Sequence, residues 1–180
     1  MTLADMLAGL ERDGYLLLPG YLDADRFGSC GLLNTLKTTF YPPLARIANH
    51  WSEQEAYPPQ LAALQARCRE AGRALDPSRY TRLREQEHQP LRQSPTAFPL
   101  LLCALLCTPG KDFSGGDLLL TEHRPRLQSR PIVVPLRRGD IAIIPAGRRP
   151  VRHSRVTTRH AISRVRSGER LGLELFFDLL

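Results

Sequence analysis

The sequence predicts an α+β domain in which N-terminal helices pack on a jelly-roll core of the cupin type. Apolar residues recur at helical spacing through the first half, whereas from about residue 98 short apolar runs alternate with Pro, Gly and charged clusters. The strand-like runs recur about every 8–12 residues, as in sandwiches and barrels. A chain of 180 residues suits one core. We therefore expect a single domain over residues 1–180, mainly helical over 1–79 and strand-rich over 80–180.

Helix start signals divide the first half. The predicted helices cover residues 6–12, a segment that follows Asp23 or Asp25 and runs through about residue 38, and residues 44–51 and 60–71. Asp5 is a candidate N-cap for the first helix, and Asp23 or Asp25 for the second. Proline pairs at 42–43 and 58–59 precede the third and fourth, where proline favours the first helical turn. The pair at 42–43 is also expected to end the second helix.

The predicted strands are bounded by turn residues. They cover residues 15–18, 100–107, 117–122, 132–136, 141–144, 151–161 and 171–177. The glycine-containing segment 108–116 is interpreted as a turn and not as a phosphate-binding loop, because no helical pattern follows it.

Positive charge is concentrated in the last third of the chain. Residues 1–119 carry 10 Arg and 2 Lys against 13 acidic residues, a net charge of −1. Residues 120–180 carry 13 Arg and no Lys against 5 acidic residues, a net charge of +8. Guanidinium groups bind phosphate or carboxylate in a bidentate way. This Arg-rich region therefore suggests a nucleic acid or an acidic partner, with a codon bias toward Arg as the alternative.

The four cysteines, Cys30, Cys68, Cys103 and Cys107, have no metal-binding spacing and are predicted to be reduced and mostly buried. The longest apolar run, residues 100–107, is far shorter than the ~20 residues of a membrane-spanning helix. The N-terminus has no secretory pattern. We expect a cytoplasmic protein with no membrane partner.

Two of the five histidines occupy positions that suit a metal site. His88 precedes the strand-rich half and His160 lies near the end of a late strand, and a cupin-type jelly roll would bring them together at its mouth. Two imidazoles and a carboxylate form the facial triad that binds non-haem Fe(II). The carboxylate is expected two residues after the first histidine, where this chain has Pro90. Arg170 follows His160 by ten residues and could bind the carboxylate of a 2-oxo acid.

Three segments carry a family resemblance. Residues 112–140, with Gly-Gly-Asp-Leu-Leu-Leu-Thr-Glu-His-Arg-Pro-Arg within them, resemble a bacterial family of Fe(II)/2-oxoglutarate oxygenases. Residues 159–170 continue the match, and residues 40–49 resemble the family's helical lead-in. The family is similar to prolyl hydroxylases and to nucleic-acid demethylases. It implies a double-stranded β-helix.

The resemblance also implies cofactors and roles for particular residues. His88 and His160 would be the iron ligands, and Arg170 would anchor 2-oxoglutarate. The family has His-Gln-Asp where this chain has His88-Gln-Pro90, so the metal carboxylate is missing. The segments 34–40, 80–87 and 152–156 also differ from the family near the expected pocket.

Three replacements for the carboxylate are open. Another acidic residue could supply it, chloride could take its place as in related halogenases, or the two histidines could hold the ion alone. The acidic candidates are Glu85, Glu87, Asp117 and Glu122, although an ion pair of Glu122 with Arg124 or Arg126 is the simpler interpretation of that residue.

Two functions follow from these observations. One is an oxygenase of the hydroxylase or demethylase type that uses Fe(II) and 2-oxoglutarate. The other is a pseudoenzyme with the oxygenase fold, binding nucleic acid or an acidic partner through residues 120–180.

Overall fold

A computed structural model describes residues 2–23, 31–52, 56–124, 128–151 and 154–180. Its helices are α1 (Leu3–Asp13), α2 (Leu32–Trp51) and α3 (Leu61–Glu70). Its strands are β1 (Leu16–Leu18), β2 (Arg79–Arg84), β3 (Gln89–Arg92), β4 (Leu100–Leu105), β5 (Phe113–Gly115), β6 (Leu118–His123), β7 (Arg130–Val134), β8 (Ile141–Pro145), β9 (Arg148–Val151), β10 (Ser154–Ile162) and β11 (Val165–Leu175). None of these described helices has the length and hydropathy of a membrane-spanning segment.

The strands form two antiparallel sheets. The first sheet has the order β1-β8-β4-β11-β2, with β5 also paired to β11. The second sheet has the order β3-β10-β6-β7, with β9 also paired to β10. Along the chain, single strands or pairs of strands alternate between the two sheets, which is the topology of a double-stranded β-helix. This confirms the predicted fold class.

The central strands of the first sheet, β4 and β8, are buried on both faces, because the helices cover one face and the second sheet covers the other. Along β4, Leu100 and Leu102 pack with the helices, whereas Leu101 and Cys103 belong to the core between the sheets. This alternation follows from the two-residue period of a strand. It explains why these two strands are almost continuously apolar in sequence.

Helix α1 ends at Gly14 as its sequence predicts, but it begins three residues earlier than expected and with a different cap. The N-cap is Thr2, whose hydroxyl accepts a hydrogen bond from the Asp5 backbone N–H, and the Asp5 carboxylate accepts one from the Thr2 backbone N–H. Asp5 is thus the third helical residue of a capping box. Gly14 ends the helix in a left-handed conformation.

The predicted break at the proline pair is wrong. Helix α2 runs without interruption from Leu32 to Trp51 and contains Pro42 and Pro43. Its buried stripe continues on both sides of the prolines, from Phe40 to Leu44, so packing against the sheet outweighs the hydrogen bonds that proline removes. The helix begins after Gly31 and not at Asp23. Asp25 lies outside the described residues.

The predicted strands and the predicted state of the cysteines can also be compared with the structure. The predicted strand over 151–161 corresponds to β10, whereas β2, β3, β5 and β9 were not predicted. Strand β5 lies within residues 108–116, which were expected to form only a turn, because it pairs with the distant strand β11. Cys68, Cys103 and Cys107 are buried free thiols, as expected. Cys30 lies outside the described residues.

Candidate functional site

A buried polar cluster lies between the two sheets, around Glu174 on β11. Glu174 Oε2 accepts hydrogen bonds from Arg79 Nη2 at 2.5 Å and from Arg92 Nη2 at 2.9 Å. Its Oε1 accepts one from Gln89 Nε2 at 2.7 Å. Glu174 is 2% exposed, so a carboxylate in this position needs these donors. The arginines and the glutamine come from β2 and β3, and the cluster therefore ties both sheets to one carboxylate.

His160 on β10 lies beside this carboxylate. Its Nε2 is 3.7 Å from Glu174 Oε1, and no hydrogen-bond partner for this atom lies within the described parts of the chain. Burial opposes the ionisation of Glu174. The neighbouring His160 and Gln89 side chains, together with the charges of Arg92 and Arg79, outweigh burial and lower the pKa of Glu174 to about 2. Glu174 is therefore ionised at neutral pH.

The structure does not bring His88 to His160. His88 is exposed and lines a surface pocket with Pro90 and with Ser163 and Arg164. Gln89 and Arg92 contact Glu174 from β3, whereas Pro90 and His88, which precedes the strand, are exposed. The pairing of β3 with β10 is irregular between His160 and Ile162. Such an irregularity changes which side chains of β3 point inward.

Arg170 lies inside the barrel, on the same face of β11 as Glu174. It is 3% exposed, and its Nε donates a hydrogen bond to the Gly116 carbonyl oxygen at 2.8 Å. A Cβ at Gly116 would come within 2.9 Å of Arg170 Cδ, and one at Gly172 within 2.7 Å of Nη1. The two glycines thus make room for the guanidinium group. Burial lowers the pKa of Arg170.

The residues around His160 do not fit an iron triad. Within the described ranges, no group of three or more His, Cys, Asp and Glu side chains is arranged to hold a metal ion. His160 and Glu174 are two candidate ligands, but Arg79 and Arg92 bind one Glu174 oxygen and would repel a divalent cation.

The acidic residues considered as replacements lie elsewhere. Glu85, Glu87 and Asp117 are exposed. Glu87 Oε2 accepts a hydrogen bond from the Arg84 backbone N–H.

Glu122 belongs to a second buried ionic cluster at another level of the barrel. Glu122 Oε1 accepts a hydrogen bond from Arg149 Nη2, and both side chains are 1% exposed. Arg124 Nη2 and Arg130 Nη1 lie 3.6 and 3.9 Å from Oε2. The expected ion pair with Arg124 is therefore present, whereas Arg126 lies outside the described residues. No signal in the sequence distinguished the two adjacent arginines, of which Arg149 is buried and Arg148 is exposed.

The outer face of the second sheet is basic. Thr158 and His160 point into the barrel, so the alternate residues of β10, Arg155, Thr157 and Arg159, point outward. Strand pairing places the other outward side chains beside them, which are Thr121 and His123 of β6 and Arg148 of β9. In the described residues of the five strands of this sheet, the one acidic side chain is Glu122, which is buried. This surface, which we call the basic face, therefore has the charge that attracts polyanions.

Comparison with known proteins is consistent with this architecture. A family model described as "Oxygenase, catalysing oxidative methylation of damaged DNA" matches residues 27–179. Uncharacterized proteins from two strains of Mycobacterium tuberculosis are 32% identical to the chain over 157 residues, which cover 81% of this chain and 67% of theirs.

Similarity to solved structures extends over nearly the whole chain. An oxidoreductase of the 2OG-Fe(II) oxygenase family from Burkholderia pseudomallei has the same fold, with a TM-score of 0.51 and 16% identity, covering 97% of this chain and 89% of its own. A prolyl-4-hydroxylase from Pseudomonas putida aligns with a TM-score of 0.49 and 14% identity, covering 97% of this chain and 93% of its own.

Proposed function

The chain belongs to the oxygenase family whose model matches residues 27–179, and we propose that it is a non-catalytic member that binds nucleic acid through its basic face. The observation that carries the loss of catalysis is the arrangement around Glu174. Arg79, Arg92 and Gln89 donate hydrogen bonds to the carboxylate beside His160, where an iron ion would need open ligands.

The position of the first expected ligand supports the same conclusion. His88 and Pro90 lie on the outside of β3, and proline has no donor atom. His160 is then the one expected iron ligand within the barrel. A single imidazole next to two guanidinium groups does not make an iron site. We therefore expect the protein neither to bind Fe(II) at this place nor to turn over 2-oxoglutarate.

Nucleic acid is the proposed partner because of the chemistry of the basic face. Its cations are the arginines Arg148, Arg155 and Arg159, and guanidinium groups make bidentate contacts with phosphate. The strands are antiparallel and exposed on this side, so the arginines are spread over a surface that an extended backbone could follow. The family description names damaged DNA as its substrate, which favours DNA over an acidic protein.

Binding of labelled oligonucleotides by fluorescence anisotropy tests the proposal. Affinity for single-stranded or double-stranded DNA should fall steeply between roughly 50 and 200 mM salt, because phosphate contacts release counterions. The double variant Arg155→Gln/Arg159→Gln should weaken binding. It should also reduce the slope of the logarithm of the binding constant against the logarithm of the salt concentration by about one for each phosphate interaction that it removes.

The matched control is Arg82→Gln/Arg84→Gln, which removes the same charge from β2 of the first sheet, where both arginines pair with Glu169. Equal weakening in the control would mean that net charge and not the basic face governs binding. Binding that is independent of salt, or a preference for poly-glutamate over DNA, would overturn the nucleic-acid proposal.

A further inference from the structure

A cavity of about 440 Å³ lies outside the barrel, between the C-terminal end of α2 and the turn that joins β8 to β9. Its aromatic lining comes from Trp51, Tyr57 and Phe98. Trp51 and Phe98 belong to the core between the helices and the first sheet, and no residue of the Glu174 cluster lines the cavity. The cavity is therefore separate from the site around Glu174. Its volume lies within the ~300–1,000 Å³ range of ligand pockets.

The aromatic wall is held in place before any ligand binds. Tyr57 and Phe98 meet edge to face with ring centroids 5.1 Å apart. The Tyr57 hydroxyl donates to the Ala97 carbonyl oxygen at 3.0 Å. The Asn49 side chain fixes the Tyr57 backbone, since Oδ1 accepts from its N–H at 2.5 Å and Nδ2 donates to its carbonyl oxygen at 2.9 Å. Because Phe98 and Trp51 are buried, Tyr57 is the partly exposed ring of the three, and its fixed position means that little conformational entropy is lost when a planar ring packs on it.

The rim of the cavity is basic and polar. Arg148 and Arg155 line it together with Gln93. The same two arginines also line an adjoining pocket with His123 and Thr157, which are residues of the basic face. The cavity thus opens beside the surface that we propose to contact nucleic acid.

We propose that this cavity binds a single unstacked nucleotide, with the base against Tyr57 and the phosphate at Arg148 and Arg155. Aromatic side chains bind bases of any sequence by stacking, and arginine binds phosphate. Gln93 at the rim supplies an amide that can donate to and accept from a base edge. The inference rests on the proposed function in one respect, namely that the nucleic acid on the basic face supplies the nucleotide.

The experiment uses the fluorescence of Trp51, which is the single tryptophan of the chain. Deoxyadenosine monophosphate, deoxyadenosine and inorganic phosphate are titrated separately into the full chain. The monophosphate should change the emission in a saturable way, deoxyadenosine should do so at higher concentration, and phosphate alone should have the weakest effect.

Two variants assign the signal to the cavity. Arg148→Gln, at an exposed position, should weaken binding of the monophosphate by about tenfold and leave the affinity for deoxyadenosine unchanged, because it removes a charge-assisted contact to phosphate. Ala97→Phe should abolish binding of both the monophosphate and deoxyadenosine. Ala97 is exposed and lines the cavity, so the larger side chain can occupy the cavity. Arg82→Gln, an exposed arginine on the first sheet, is the charge control and should change neither.

The outcomes separate the two proposals. No saturable response to the monophosphate, or an equal loss in Arg148→Gln and Arg82→Gln, would overturn the nucleotide pocket even if DNA still bound to the basic face. A mononucleotide response in a protein that fails to bind DNA would retain the pocket and overturn the proposed function. If Ala97→Phe does not fold, Arg148→Gln alone decides the pocket.

Discussion

His160 and Glu174 face each other between the two sheets, with His160 Nε2 3.7 Å from Glu174 Oε1. In an iron oxygenase such a pair could share a metal. Here the second oxygen of Glu174 accepts hydrogen bonds from Arg79 and Arg92, and these charges oppose a cation at the same place. The pair therefore belongs to a polar cluster that joins the sheets.

The first prediction concerns repair of the missing carboxylate. An anaerobic titration with Fe(II) and 2-oxoglutarate should give no metal-to-ligand charge-transfer band in the wild type or in Pro90→Asp. Position 90 lies on the outer side of β3 beside His88, so a carboxylate there would not reach His160. A prolyl hydroxylase with an intact triad is the positive control. A band in Pro90→Asp alone would mean that β3 presents its other face to the barrel, and a band in the wild type would restore the oxygenase hypothesis.

The second prediction concerns the stability supplied by Glu174. Glu174→Ala should lower the free energy of unfolding by about 2 to 3 kcal/mol, less than the ~3–5 kcal/mol of a fully buried pair, because its arginine partners are partly exposed. Glu169→Ala removes a more exposed carboxylate from the same strand and should cost less than about 1 kcal/mol. Urea denaturation measures both. Equal losses would mean that the Glu174 cluster has no special role.

The third prediction is a pH dependence that follows from the same carboxylate. The pKa of Glu174 is lowered from 4.5 to about 2 in the folded chain, so its contribution is present above pH 4.5 and is lost as the pH falls toward 2. Thermal unfolding should be compared at several pH values between neutrality and pH 2. The stability difference between wild type and Glu174→Gln should be largest near neutral pH and should shrink in acid. A difference that is constant with pH would contradict the low pKa.

The sequence predicted the apolar elements of the fold better than the polar ones. The buried strands of the first sheet are recognisable because both of their faces are apolar, as in β4 and β8. Strand β2, with the sequence Arg79-Tyr-Thr-Arg-Leu-Arg84, has no such run and lies at the sheet edge. Its existence depends on pairing with β11, which is about 85–95 residues away in sequence.

The sequence predicted some residues of the candidate site but not others, because part of the site also depends on pairing between distant strands. His160 was expected at the mouth of the jelly roll and Arg170 close to it, and both side chains are buried inside the barrel. His88 was expected beside them, but Gln89 takes the inward position through an irregularity in a pairing between distant strands. No local pattern specifies such an irregularity, and none indicated that Glu174 would meet arginines from β2 and β3.

The last prediction concerns the second ionic cluster, between Glu122 and Arg149. Glu122→Leu should destabilise the fold by about 3–5 kcal/mol, because it leaves a fully buried guanidinium group without its carboxylate. Arg149 Nε and Nη1 already have no hydrogen-bond partner within the described parts of the chain, so the group depends strongly on this one ion pair. The double variant Glu122→Leu/Arg149→Met replaces both charges with apolar groups of similar length. It should recover most of the loss, since a buried ion pair and a packed apolar pair are often of similar stability. A double-mutant cycle by urea denaturation measures the coupling, and additive losses in the double variant would mean that the two side chains are stabilised by other contacts.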